Sequence, residues 1–313
     1  MESVSKTGVR DQESGVKILE IIIPEPLKEG DKVGIAAPAG PFEIEKFERG
    51  LAVIGEMGFV PVVDDDVYKR DRHMAGPDKH RAKHLNSLFA RDEIRAIICA
   101  RGGFGCLRVL PYLDYDLIRE NTKLLIGFSD VTALLTTLTA QCGLAGIHGP
   151  VVTSLGFADD ESKARYKKVL YGEGSADIES LGPVVIKSGK ASGVLTGGNL
   201  ATLCHLVGTE FAPDFSDKIV LLEDVNEAPY RIDRMLTQMR MASCFEGVAG
   251  IVLGSFHDCG EEEEIIKVIE DVFEDFEGPI LGGFSIGHGA SNLAIPVGVN
   301  VELDADGDTL KFM

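Results

Sequence analysis

No stretch of the 313-residue chain approaches the length of a membrane span, although 44% of its residues are apolar. The longest early apolar stretch, ILEIIIP, is short, is interrupted by Glu20 and follows the polar MESVSKTGVRDQESG. A basic start, a longer apolar run and a small-residue cleavage site are all missing, so a cytoplasmic protein without a membrane partner is expected. Positive charge is scarce as well. Lys and Arg number 31 against 50 Asp and Glu, a net charge of -19 that leaves no footprint for nucleic acid and is read as a solubility feature. Cysteine is sparse and scattered over positions 99, 106, 142, 204, 244 and 259, with no C-x-x-C pair. In a chain of this size that pattern favours free thiols over a disulfide frame or a zinc site.

Several motifs fail on residue identity. RGGFGCLR has closely spaced glycines after an apolar run but lacks the third glycine of a dinucleotide fingerprint, and KSGKASG has Ala where a P-loop needs Ser or Thr. There is no H-E-x-x-H. The one helical histidine pair, His80 and His84 in RHMAGPDKHRAKH, reads as a solvated face. DADGDT at 304–309 is too close to the chain end for the twelfth-position Glu of a calcium loop and reads as a hairpin turn. EEEE at 261–264 suits the N-terminal end of a helix dipole. No cofactor and no metal are expected.

What remains is an alternation of apolar strands and helices. KVGIAAPAG, AIICARGG and LLIGFSD each end at glycine, proline or a polar turn, with helical segments over 43–57 and 80–89 before the second and third, and 131–141 after the third. That order predicts a parallel α/β sheet, whose functional crevice lies beyond the carboxyl ends of its strands. Residues 37–41, 101–105 and 127–130 all fall there. Val131, Leu134, Leu135 and Leu138 keep a helical apolar spacing, and Gly143 can stop that helix. The Gly- and Ser-rich GEGSADIESLGPVVIKSGKASG marks a junction. The division expected is a disordered tail over 1–24, an N-terminal α/β domain over 25–165, a linker over 166–190 and a C-terminal domain over 191–313.

Nucleophilic hydrolysis needs a hydroxyl, a histidine to take its proton, a carboxylate to hold the imidazole and amides for the oxyanion. Ser129 stands at a strand-to-helix corner, where it is either a helix cap or a nucleophile. The Asp130 amide opens the helix behind it, and Gly102 and Gly103 end the neighbouring strand, where glycine permits close backbone approach. Glu223 and Asp224 end the apolar KIVLLED; Glu223 is either a triad member or an ion-pair partner of Arg231 or Arg234. His288 lies in the glycine-flanked SIGHGASN, as an exposed imidazole or a turn residue, whereas His148 in GIHGP and His205 read as structural.

The ordered series GIAAPAG, ICARGGFGCLRVLPYLDYD, LIGFSDVTALL, GIHGPVV, LTGGNLATLCHLVGT, LLEDVNEAPYRIDRMLTQ and GHGASNLAIPVG, between about Lys32 and Glu302, resembles the LD-carboxypeptidases. These are serine peptidases that include murein tetrapeptide carboxypeptidases and microcin-immunity peptidases. The resemblance implies a Ser129–Glu223–His288 triad and an oxyanion hole from the amides of Asp130 and Gly103. It implies a flavodoxin-like N-terminal domain, a C-terminal domain with a small β-barrel-like sheet, and a cytoplasmic, metal-free homodimer. The implied reaction removes terminal D-alanine from an L,D-linked peptidoglycan tetrapeptide, a step of wall recycling. An immunity-type cleavage of a peptide–nucleotide or acyl–amino-acid conjugate is the alternative within the family. A non-catalytic α/β ligand-binding protein is the alternative outside it. Val131 stands where G-x-S-x-G has its second glycine, which argues against the standard α/β-hydrolase fold. Arg101 and Arg231 are candidates, by charge and motif position, to hold a substrate carboxylate.

Overall fold

The structure, a computed structural model, describes residues 20–173 and 176–313. Five of the six strands of the first sheet are short apolar segments from the N-terminal half: β1 (Lys32–Ala36), β2 (Val60–Val62), β3 (Ile94–Cys99), β4 (Leu124–Gly127) and β5 (Gly146–His148). They run parallel in the order β2-β1-β3-β4-β5, the flavodoxin-like winding. Helices Ile44–Glu56, Asp78–Ala90 and Thr132–Cys142 cross between them. Strands IRAIIC and LLIG are buried at nearly every position, as expected for a parallel sheet covered on both faces. The last of these helices ends where expected, with Gly143 left-handed at φ 68°.

The chain then runs through β6 (Ile178–Glu179), β7 (Val184–Lys187), β8 (Lys190–Asn199), β9 (Lys218–Val225), β10 (Gly250–His257), β11 (Ile280–Gly282), β12 (Ile295–Val297), β13 (Asn300–Asp304) and β14 (Thr309–Phe312). All but β12 form the second sheet, ordered β6-β14-β13-β8-β9-β10-β11-β7 with a parallel centre of β8 to β11. Its outermost strands, β6 and β7, are consecutive in the chain and joined by residues 180–183 alone. A flat eight-stranded sheet would set its edges roughly 34 Å apart, from a strand spacing of about 4.8 Å. The five steps from 179 to 184 reach about 18 Å at most. The sheet therefore curls until its edges meet. Ser180 N donates to Asp308 O beside β14 (2.9 Å) and Leu181 N to Gly283 O beyond β11 (3.0 Å), so the barrel-like expectation has a structural counterpart.

The expected division of the chain is redrawn by the strands. Segment 166–190 is not a free linker: it carries the end of helix Asp160–Tyr171 and strands β6 and β7. Strand β12, far along the C-terminal half, joins the first sheet antiparallel to β5 and pairs Ile295 with His148, so the halves interlock rather than divide at one point. Of the expected tail, residues 1–19 lie outside the described residues. Ile22, in the remainder, bridges Leu144, and its N–H donates to Gly143 O at 2.8 Å. DADGDT is the hairpin turn between β13 and β14, with Asp304 Oδ1 accepting from Gly307 N at 2.9 Å. No helix among the described residues is long and apolar enough to cross a membrane.

Helix Asp160–Tyr171 links fold and site. Asp159 caps it, accepting from Ser162 N at 2.6 Å, and the Ser162 hydroxyl accepts from Asn292 N at 3.0 Å in the loop after β11. Asp159→Ala is expected to cost about 1 kcal/mol of stability through the lost cap. Urea denaturation checks this, and an unchanged midpoint would count against the capping role.

Candidate active site

Ser129 follows β4 at a turn in which it adopts φ 62°, a left-handed conformation uncommon for a side chain other than glycine. The capping reading finds no hydrogen bond to support it: the caps of the 3-10 turn Ser129–Val131 and of helix Thr132–Cys142 are Phe128 and Val131, and no side chain caps either element. Ser129 is therefore not held by a capping role. The loop after β3 closes on it, and a Cβ placed on Gly102 would lie 3.0 Å from Ser129 Cβ and 3.2 Å from Oγ. Only glycine lets that backbone approach so closely. Gly103, next along, is left-handed at φ 105°.

Two buried side chains hold these loops. Asp130 Oδ2 accepts from Cys106 N at 2.7 Å, locking the turn after β4 to the loop after β3, and burial pushes its carboxyl above the usual range. Arg81, only 2% exposed, donates to Gly76 O (3.0 Å), to Gly105 O (2.8 Å) and to Pro38 O, and pairs with Asp78 at 2.5 Å. One guanidinium thus satisfies carbonyls from three loops at the strand ends. The solvated-face reading of RHMAGPDKHRAKH is corrected here, because Arg81 and His84 both point inward. His84 Nε2 meets Asp64 Oδ2 at 3.1 Å, and burial lowers its proton affinity. The signal available was the inward Ala82, Leu85, Leu88 and Phe89 on the same helix.

Glu223 lies at the end of β9 with no exposed surface. Its Oε2 accepts from His288 N at 3.1 Å and lies 2.7 Å from His288 Nδ1. Where the carboxyl oxygen accepts this bond, Nδ1 is the donor and a neutral ring keeps its lone pair on Nε2. Gly287, at φ 100°, makes this possible, since a Cβ there would run into the Glu223 carboxylate. The alternative ion pairs are not formed: Arg231 meets Glu227 at 3.4 Å, and Arg234 lies over the Tyr230 ring. Asp224 faces the other way, accepting from Asn199 Nδ2 (2.9 Å), Ala201 N (2.8 Å) and Val225 N (2.8 Å).

The serine turn and the Glu–His pair meet through Phe128, whose ring centroid is 4.7 Å from that of His288. Behind it, Thr132 Oγ1 accepts from Asn199 N at 3.1 Å, tying the helix after Ser129 to the end of β8. A cavity of about 530 Å³ opens beside His288, walled by Leu253, Phe256, Ile265, Phe284 and Ser291. Arg101 is exposed and donates to Pro41 O at 2.6 Å, beside the glycine loop. Arg231 is engaged by its chain neighbours Glu227 and Tyr230. His148, read as structural, is buried beneath Phe128, at a ring distance of 6.1 Å. Among the described residues no three His, Cys, Asp or Glu side chains stand together as a metal site.

Such a two-sheet α/β fold, with a strained serine turn and a Glu–His pair joined through Phe128, and with no hydrogen bond from Ser129 to His288 among the described residues, defines a class that comparison with known proteins narrows. Residues 33–149 match the LD-carboxypeptidase N-terminal domain and residues 192–303 the LD-carboxypeptidase C-terminal domain, so the chain belongs to the LD-carboxypeptidase family. A Bacillus subtilis protein named "Probable murein peptide carboxypeptidase" is 36% identical over 290 residues, covering 90% of this chain and 91% of that protein. The murein tetrapeptide carboxypeptidase of Pseudomonas aeruginosa is 33% identical, over 88% of this chain and 94% of its own length. The solved structure of MccF in complex with glutamyl sulfamoyl guanosine superposes with a TM-score of 0.85 at 27% identity, covering 93% of this chain and 98% of that one.

Burial pushes the Asp224 carboxyl up to about 6, against roughly 3.9 for an unfolded chain. The folded state then binds that proton more tightly, so the contribution is full below pH 4 and fades as pH rises through 6. Removing the group in Asp224→Asn is expected to raise the variant's stability relative to wild type by about 3 kcal/mol between pH 4 and 7. Denaturation curves across that range test it. Two parallel stability–pH curves would refute the assignment.

Proposed function

We propose that the protein is a serine carboxypeptidase that removes the terminal D-alanine from L,D-linked peptidoglycan tetrapeptides. The observation that carries this reading is the 2.7 Å contact between Glu223 Oε2 and His288 Nδ1 across the Phe128 ring from the strained Ser129 turn. In it His288 Nε2 takes the Ser129 proton as Oγ attacks the amide carbonyl, and Glu223 stabilises the imidazolium. The amides of Asp130 and Gly103 receive the oxyanion. In support, neither donates to a backbone carbonyl in the turns and loops among the described residues. His288 then protonates the leaving amine, and water repeats the cycle on the acyl-enzyme. Arg101 beside the glycine loop is the better placed of the two candidate carboxylate anchors, because Arg231 is already paired. The family and the names of its relatives support the substrate class. The family resemblance also supports a cytoplasmic homodimer, for which light scattering should return twice the chain mass of 33.7 kDa.

Incubation with murein tetrapeptide, followed by mass spectrometry, should show loss of one alanine residue. Ser129→Ala is expected to abolish turnover, and Glu223→Gln to lower kcat by about 10²–10⁴ while the fold is kept. Full turnover by Ser129→Ala would remove the proposed nucleophile. Cleavage of an aminoacyl sulfamoyl nucleotide with the tetrapeptide left intact would favour the immunity-type reading. Binding without turnover would favour a non-catalytic protein.

A further inference from the structure

His148 has no exposed surface, and neither ring nitrogen has a hydrogen-bond partner among the described residues. Glu223 Oε1 is in the same condition: buried, and unpartnered although Oε2 is engaged twice. Buried polar atoms are almost always hydrogen-bonded, so unpaired atoms on these two side chains call for a common explanation.

Three observations bring them close. His148 ends β5, where its backbone pairs with Gly127 of β4 and Ile295 of β12, so the strand carrying it is fixed on both sides. Its ring reaches across to the second sheet, and a Cβ placed on Gly198 of β8 would lie 3.1 Å from His148 Nδ1. The next residue along, Asn199, is the cross-strand partner of Glu223. Phe128 completes the enclosure, with its ring centroid 6.1 Å from His148 and 4.7 Å from His288.

We propose that His148 is a positioning residue of the reaction, donating one ring N–H through a single ordered water to Glu223 Oε1. The carboxylate is thereby held from both oxygens, so Oε2 stays aimed at His288 Nδ1 while the imidazolium forms. A bridging water of this kind needs two to four polar partners, which Oε1 and the His148 ring supply, with the Thr132 hydroxyl beside the same point of β8. The role requires a neutral ring, since a second cation facing His288 would oppose the charge that develops there. Burial supplies that condition by lowering the His148 pKa to about 4. Glu223 and His288 are the charged or titratable groups acting on it.

This inference rests on the Ser129–Glu223–His288 reading, and the test separates the two. A fluorophosphonate probe attaches to an activated serine as the Oγ–P bond forms, fluoride leaves and the serine proton passes to the base, with no peptide substrate involved. Wild type is expected to label at Ser129. If it does not, the triad reading falls and takes this inference with it. With wild type labelling, His148→Leu and His148→Phe are expected to lower kinact at least tenfold with KI within twofold. His148→Gln, which keeps an N–H donor, should restore kinact to within fivefold of wild type. An apolar variant that labels at the wild-type rate overturns the proposal. So does a Gln variant as slow as the apolar ones at equal melting temperature, because shape rather than the donor would then be the cause. Should neither apolar variant fold, imidazole ¹⁵N spectra of wild type at pH 7 decide. A neutral ring with one N–H protected from exchange supports the role, and a doubly protonated ring overturns it.

Discussion

A carboxyl group with no exposed surface sits at the end of β9, and much of the molecule is arranged around satisfying it. An uncompensated buried charge would cost several kcal/mol. Glu223 is compensated by one residue twice over, through the His288 backbone N–H and the ring Nδ1. That double contact requires the loop after β11 to fold back over the strand, with glycine at 287 so that the backbone can reach the carboxylate. The loop is pinned in turn: Gly287 N donates to Asn292 Oδ1 (3.0 Å), Leu293 N to Ser285 O (2.8 Å) and Ser255 N to Ile286 O (2.8 Å). The same contact that compensates the carboxyl group also fixes the orientation of the ring.

The serine is held by a separate set of forces on the other sheet. There the turn after β4 and the glycine loop after β3 are locked together by Asp130, and the latter is tied to its neighbours by Arg81. Both are buried polar groups with good partners, the condition under which such groups confer a definite geometry rather than a cost. Because serine and histidine come from different sheets, their relation depends on how the sheets are joined. The union is covalent in topology, through β12 crossing into the first sheet, and close in packing, through Thr132 on Asn199 and Phe128 on His288. The carboxyl ends of parallel strands from both sheets thus meet, and the two sheets could not separate without breaking one of them.

The parallel strands of the first sheet, the helix stopped by Gly143 and the candidate Ser129, Glu223 and His288 were legible in the sequence, because continuous apolar runs, helical spacing and glycine-flanked turns are local signals. Misreadings came where burial overrode polarity. Arg81 and His84 look solvated in RHMAGPDKHRAKH, yet the carbonyls of Pro38, Gly76 and Gly105 and the Asp64 carboxylate satisfy them inside the protein. The Gly- and Ser-rich segment expected to link two domains instead supplies both edges of a curled sheet. Turn residues mark where a chain bends, and they do not say whether the bend lies between domains or within one. Arg231 was offered both as a partner of Glu223 and as a carboxylate anchor, but its side chain is taken by Glu227 and Tyr230.

The sequence by itself determined the α/β class, the absence of a membrane-length run and which serine, glutamate and histidine to consider. Each of these follows from the chemistry of neighbouring residues. Only the tertiary structure decided that Ser129 is a strained turn residue and not a cap, that Glu223 turns to His288 and not to arginine, and that His148 lies beside that pair. These depend on contacts between segments far apart in the chain, brought together by strand register and sheet curvature. No local pattern encodes them, because a carboxylate at the end of a strand has the same sequence signature whichever partner folding places against it.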